Sequence, residues 1–322
     1  MEQKYEILQL KQVEKTIIEL EKFLKEEIFQ KFQKKGAIIG ISGGIDSAVM
    51  AAICARSIDS NQILGIIMPE KESDPESQIL AKKMANQFGI KTQTLDITSI
   101  LDTFGVYNKK EKIVKRKFSS FNKNCKYRVT VPSKSTKYAG IPFLEILDDK
   151  NKIHQFKISS SEFLELTAAS SIKHRVRMTM LYYFAEKNNF CVIGTTNKSE
   201  FLQGYFVKYG DGGTDIEPLT NLYKSQIYQI GEFLNIPNEI LKKDASPDIW
   251  SFNTSDEEFF YSVPYHVVDL ILYARENKLP KSEIQKISGF SIERIESLLQ
   301  VQNQKQTKSQ HMREIPHSWN NI

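Results

Sequence analysis

The residues best suited to chemistry form one short run, Gly40-Ile41-Ser42-Gly43-Gly44-Ile45-Asp46-Ser47. Glycine lets a backbone approach a phosphate closely. The first N–H groups of a following helix point outward, with the positive end of the helix dipole behind them. Ser42, Gly43 and Gly44 are therefore expected to wrap a phosphate, and the Ser47 hydroxyl to add a donor. Asp46 repels phosphate, so its place in the turn predicts a bridging cation, with Mg²⁺ the natural choice for oxygen ligands. The run has neither the Gly-Lys-Ser/Thr ending of a Walker A loop nor a GxGxxG dinucleotide fingerprint.

A second constellation lies in residues 194–226. It offers Thr195 at a strand end, the carboxylates Glu200 and Asp215, the lysines Lys208 and Lys224, and the acidic glycine loop Gly210-Asp211-Gly212-Gly213. Strand ends on one edge of a parallel sheet line a common crevice. Thr195 is thus expected to face the first motif.

The elements that must position these groups follow from periodicity. Apolar residues at three- to four-residue steps predict a helix over 5–34. Short apolar runs predict strands at 37–41, 63–68, 92–97 and 190–194. Helices are expected at 47–57, 75–88, 162–187 and 223–234. Alternating strand and helix predicts an α/β fold, a doubly wound parallel sheet with helices on both faces. Residues 104–160 break the rhythm with a basic run (108–117) and three strand-like pieces at 127–131, 143–147 and 153–158. They read as a small β-rich insertion. The basic run is expected to be a solvated loop, or else a clamp for a diphosphate or an RNA. Residues 195–221 and 244–261 read as irregular. Helices are expected near 264–276, 280–287 and 291–302, then a flexible tail over 304–322. The whole is one domain spanning 1–322.

Composition sets the outer bounds. The 322 residues are 40% hydrophobic, enough for a sizeable core, and the net charge of +5 is too small to demand a polyanionic partner. Cys54, Cys125 and Cys191 form no CxxC pair, so zinc knuckles and redox pairs are not expected, and reduced thiols in the cytoplasm are. No run approaches the roughly 20 apolar residues of a membrane span, and no signal peptide is expected in the charged stretch 1–35.

SGGxDS directly after an apolar strand resembles the signature of PP-loop (N-type) ATP pyrophosphatases, whose fold is adenine nucleotide alpha hydrolase-like. The stretch GTTNKSEFLQGYFVKYGDGGTDIEPL closely resembles ammonia-dependent NAD synthetases. Lys173-His174-Arg175-Val176-Arg177-Met178 and the helix at 265–273 extend the likeness over about 5–100 and 165–312. The resemblance implies an ATP-dependent amide ligase: the nicotinate carboxylate of deamido-NAD is adenylated, and ammonia displaces AMP to give NAD, AMP and pyrophosphate. It implies ATP contacts at Gly40, Ile41, Ser42, Gly43, Gly44, Asp46, Ser47, Thr195, Lys224 and Ser246, the last a loose match. It implies Mg²⁺ ligands at Asp46 and Glu200, and acceptor contacts at Arg175, Lys208, Asp215 and His311. Arg177 is as well placed as Arg175 by sequence. Asp46, Lys208, Asp215 and Lys224 are the expected catalytic groups, with Asp215 able to orient ammonia or accept its proton. A homodimer is implied, in which the amphipathic N-terminal helix suits the contact. Only 39 residues precede the loop, so no glutaminase domain is expected, and ammonia would be free or come from a separate protein.

The sequence departs from that pattern on the acceptor side. Residues 104–160 are inserted, Ala168-Ala169-Ser170-Ser171 replaces an Asn, His311-Met312-Arg313 lacks a Lys, and Ser246-Pro247-Asp248-Ile249 replaces a Thr-Ala-Asp-Leu stretch. A PP-loop ligase amidating another carboxylate is therefore the first alternative. A tRNA-modifying PP-loop enzyme is the second; the basic run favours it, while the KYGDGG stretch and the lack of paired cysteines oppose it. Nucleic acid is not the expected partner. A non-catalytic nucleotide binder is opposed by the presence of both Asp46 and Glu200.

Overall fold

The computed structural model describes residues 3–131 and 141–319. Residues 132–140 of the expected insertion, the first two residues and the last three of the expected tail lie outside the described residues.

The chain opens with a 3-10 turn (Gln3–Leu8), α1 (Val13–Lys25) and a π-helical turn (Glu26–Lys31), rather than one helix over 5–34. The break has a tertiary cause. Gln229 takes over both backbone groups of Leu10, accepting from its N–H at 2.8 Å and donating to its carbonyl at 3.1 Å. There follow β1 (Ala37–Gly40), α2 (Ile45–Ser57), β2 (Ile63–Ile67), α3 (Pro75–Gln87) and β3 (Lys91–Thr94). Next come α4 (Thr98–Thr103) and α5 (Val106–Lys117), then the short strands β4 (Lys126–Thr130), β5 (Phe143–Leu147) and β6 (Ile153–Lys157). The long α6 (Ser160–Asn188) leads to β7 (Cys191–Ile193), α7 (Lys198–Gln203), α8 (Lys224–Phe233) and α9 (Asn238–Lys242). Helices α10 (Tyr265–Glu276), α11 (Lys281–Ser288), α12 (Ile292–Lys308) and α13 (Gln310–Arg313) complete it.

The main sheet is parallel, in the order β3-β2-β1-β7, with Ala37 level with both Ile63 and Cys191. Alternation along β1 sends Ala37 and Ile39 to one core and Ile38 to the other. The first core packs beneath α1, α2, α3 and α8, and the second beneath α6. Helices therefore cover both faces, the doubly wound arrangement expected. No helix among the described residues is long and apolar enough to cross a membrane. The three cysteines are free and buried.

The 104–160 region carries its three strands as an antiparallel sheet, β4-β5-β6, over a small core shared with Leu166, Ile249 and Trp250. Its basic run is not a solvated loop. It is the outer face of α5, whose inner face buries Val106, Tyr107, Lys110, Ile113 and Val114. Those five positions have helical spacing, but a lysine stands at the middle one and masks the period.

The expected tail is also corrected. Helix α12 runs on to Lys308, and α13 follows. Arg313 ties this end down by donating to the carbonyls of Phe201 at 3.0 Å and Gln306 at 2.8 Å.

Candidate active site

Strand β1 ends at Gly40, and the chain turns through 41–44 into α2. Gly43 has φ +83°, and a Cβ there would stand 2.2 Å from the Ser77 carbonyl oxygen, so only glycine fits. The Ser47 hydroxyl lies 3.0 Å from that of Ser42 and donates to the Gly44 carbonyl at 3.0 Å. The turn is thus held in shape by its own serines. Gly44 precedes the first turn of α2, leaving helix N–H groups at the cavity.

A cavity of about 730 Å³ opens over this edge of the sheet. All eight residues 40–47 line it, and so do Thr195, Glu200 and Lys224, which enter from the β7 side. The Lys224 ammonium, nearly fully buried, is ion-paired with Asp46 and lies 3.3 Å from Glu200 Oε1. Asn197 donates to the other Asp46 oxygen at 2.9 Å. Asn197 also caps α7: its side-chain oxygen accepts from the Glu200 N–H at 3.1 Å, and Glu200 Oε2 accepts from the Asn197 N–H at 3.2 Å. This capping box turns one Glu200 oxygen to the helix and leaves the other for Lys224.

Electrostatics at this point are strained towards the negative. Burial, then repulsion from Asp46, pushes the Glu200 carboxyl up to about 8 despite Lys224. Burial pulls the Lys224 ammonium down, but Asp46 and Glu200 outweigh it and hold its pKa well above the ordinary lysine value. Asp256 is a third carboxylate lining the cavity, and it accepts from the hydroxyls of Tyr205 and Tyr265 at 2.7 Å each. Burial raises its pKa, against the pull of Lys224.

The acceptor-side residues are gathered on the same cavity with one exception. Arg175, Arg177, Lys208 and His311 all line it, as does Ser246, expected on the ATP side. Lys208 Nζ donates to the carbonyls of His311 at 2.7 Å and Glu314 at 3.2 Å, so α13 lies against it. Arg175 reaches the Lys208 carbonyl at 3.3 Å, and Arg177 the Met68 carbonyl at 3.3 Å. Asp215 is placed elsewhere. Its carboxylate accepts from the Tyr182 hydroxyl at 2.9 Å and the Val192 N–H at 2.8 Å, and it is not among the cavity-lining residues. Two residues of the site escaped the sequence reading. Asn197 carried a visible signal, an Asn three residues before a Glu at a helix start. Asp256 carried none, being one acid among several in an irregular stretch.

Known proteins resemble this chain over most of its length. A family model described as NAD synthase matches residues 16–140 and 134–316. The NH(3)-dependent NAD(+) synthetase of Rhizobium rhizogenes is 34% identical over 276 residues, spanning 85% of this chain and 82% of its own. That of Thermotoga maritima is 33% identical over 308 residues, 93% and 98% of the two chains. Among solved structures, an NMN synthetase from Francisella tularensis superposes with a TM-score of 0.66 at 23% identity, covering 96% of this chain and 98% of its own. An NH3-dependent NAD synthetase from Campylobacter jejuni gives 0.63 at 22%, covering 96% and 99%. These two structures show the shared fold.

Proposed function

The chain belongs to the NAD synthase family, and on that premise we propose that it is an ammonia-dependent amide ligase acting on deamido-NAD. The observation that carries this reading is the convergence of Asp46 and Glu200 on Lys224 beside the 40–47 turn. Adenylation concentrates negative charge on the α-phosphate and the departing pyrophosphate, and fixed cations and N–H groups offset that charge. The turn and the start of α2 bind the phosphates, Thr195 and Ser246 line the nucleotide side, and Lys224 supplies a desolvated positive charge. The nicotinate carboxylate oxygen attacks the α-phosphorus and pyrophosphate leaves. Ammonia then attacks the acyl carbon, AMP departs, and a proton is released to solvent. Arg175, Arg177, Lys208 and His311 are the groups available to hold the acceptor.

Mg²⁺ fits the acidic pair. One oxygen each of Asp46 and Glu200 faces a single point, which now holds an ammonium, and a hard cation takes such oxygens together with phosphate and water. No group of three acidic, His or Cys side chains forms a complete cage among the described residues. Bound there, Mg²⁺ would neutralise phosphate charge. Asp215 is given no step here, since its carboxylate accepts from Tyr182 and Val192 outside the cavity lining.

A homodimer and a cytoplasmic location belong to the same reading. Leu164 and Tyr183 leave apolar surface on the outer side of α6, at 65% and 53% exposure, and the cysteines are free thiols. Sedimentation at micromolar concentration tests the dimer. The reaction is tested by following AMP with ATP, Mg²⁺, an ammonium salt and either deamido-NAD or a panel of other carboxylates. AMP that appears with deamido-NAD and needs ammonium supports the proposal. AMP that appears only with another acceptor, or with none, sinks it.

A further inference from the structure

No described residue of the insertion lines the cavity, yet the insertion grips the segment that does. Residues 246–262 run as a strap along one wall, presenting Ser246, Asn253, Asp256, Phe259 and Phe260 to the cavity. Behind them lies β4. The Phe252 N–H donates to the Tyr127 carbonyl at 3.1 Å, and the Val131 N–H to the Glu258 carbonyl at 3.0 Å. The Tyr127 N–H donates to Ser251 Oγ at 3.0 Å, and the Ser262 hydroxyl to the Val131 carbonyl at 3.1 Å. Arg128 donates to the Asn253 carbonyl at 2.7 Å and pairs with Glu258 at 3.1 Å. The strap is thus bonded to residues 127–131 from residues 251–253, 258 and 262, and itself turns through a π-helical segment at Glu257–Tyr261.

Its first end is pinned differently. The Ile249 carbonyl accepts from Lys110 at 2.9 Å and from Lys173 at 3.0 Å. Both lysines are fully buried and share Glu72, at 2.6 and 2.5 Å; Lys173 also meets Glu70 at 2.6 Å. Tyr127 donates to Glu72 at 2.6 Å, and Lys110 stands 4.5 Å from the centre of the Trp250 ring. The cluster joins α5, β4, α6, the exit of β2 and the strap.

We infer that the 104–160 region is a built-in brace that holds strap 246–262 in its cavity-lining position before any ligand binds, with Lys110 and Arg128 as positioning residues. An irregular strap of this length loses much conformational freedom when ordered. If ligand had to order it, that cost would come out of affinity; the brace moves it into folding. The inserted residues thereby act on nucleotide affinity without touching the nucleotide.

The test uses the full chain with Lys110→Met and Arg128→Gln. Hydrogen exchange is followed at the strap in the absence of ligand, and ATP kinetics are measured in the reaction proposed above. In the unaltered protein the Phe252 amide should be protected without ligand. In both variants it should exchange faster, and the ATP KM should rise by up to about tenfold with kcat nearly unchanged, because a loosened strap lowers only the competent fraction. A merely structural defect would do the reverse, lowering kcat through lost active enzyme and leaving KM alone. Arg128→Lys should recover part of the effect. If Lys110→Met does not fold, Arg128→Gln decides alone, since Arg128 lies outside the buried cluster. An unprotected Phe252 amide in the unaltered protein overturns the brace, as does faster exchange with an unchanged KM. The kinetic arm rests on the proposed reaction; unaltered protein that releases no AMP defeats that reaction, and the exchange result then decides the brace by itself.

Discussion

Two clusters in this molecule set buried lysines against carboxylates, and they differ in balance and in access. In the wall, Lys110 and Lys173 face Glu70 and Glu72, two lysines against two carboxylates nearly sealed from solvent, and burial pulls the Lys110 ammonium down to about 7. The lysines outweigh the effect of burial and bring the Glu72 carboxyl down to about 2. At the cavity, Lys224 alone answers Asp46 and Glu200, with Asp256 behind them. There one carboxylate is pushed up to about 8 rather than down. A balanced, sealed cluster has nothing left to bind and can only hold parts together. An acid-rich cluster open to a cavity gains by taking up another cation. Charge count and access thus separate the brace from the site, although both use the same residue types.

The largest expected effect breaks the site. Lys224→Met should lower AMP release by about a thousandfold, the scale for removing a group that meets transition-state charge. Its stability loss should be modest, because Asp46 keeps the Asn197 hydrogen bond and stays in reach of cavity water. Lys173→Met should do the opposite. It leaves two buried carboxylates to one lysine, which costs about 3–5 kcal/mol and a fall in Tm of roughly 6 °C. Equal stability losses in the two variants would erase the distinction between the clusters.

The sheet and the 40–47 turn were legible because short apolar runs and glycine spacing are local signals. The three strands of the 104–160 region were legible for the same reason. The brace was not. Lys110 sits in a run of lysines, and only the fold reveals that it alone among its basic neighbours on α5 is fully buried. The strap has no long periodicity of its own, since its early part is held by side chains and by β4 and only Glu257–Tyr261 forms a π-helical turn. Asp256 becomes part of the site through that arrangement. Asp215 shows the converse: a motif position can stand outside the cavity lining, here with the Val192 N–H and Tyr182 hydroxyl on its carboxylate.

A smaller effect concerns pH. Glu200 titrates near 8 when folded, against an ordinary value near 4.5. The folded state therefore holds a proton that the unfolded state has lost. Stability from this group is fully present below about 4.5, declines as pH rises and is gone above about 8. Thermal melts without divalent cation should show this decline in the unaltered protein and a flatter profile in Glu200→Gln. Mg²⁺ with ATP should stabilise the unaltered protein more at pH 8.5 than at 6.5, since binding favours the ionised carboxylate. Identical pH profiles for protein and variant would show that the acidic pair is not strained.

The smallest effect compares two tyrosines that do the same job in the two clusters. Tyr107 donates to Glu70 at 2.8 Å in the sealed wall, and Tyr265 donates to Asp256 at 2.7 Å beside the cavity. Tyr107→Phe should cost about 1–2 kcal/mol, since no water can reach the oxygen it abandons. Tyr265→Phe should cost less than about 1 kcal/mol, because water from the cavity can replace the hydroxyl. Its ring still lies under Lys224, 5.0 Å from the ammonium to the ring centre, so the cation keeps that neighbour. The kinetic ranking should invert. Asp256, freed on one side, should disturb Lys224 and raise the ATP KM, whereas Tyr107→Phe should leave KM within error. Denaturant melts and initial rates on the two variants measure both halves. A Tyr107 variant that changed KM as much as the Tyr265 variant would mean that the wall cluster reaches the chemistry directly.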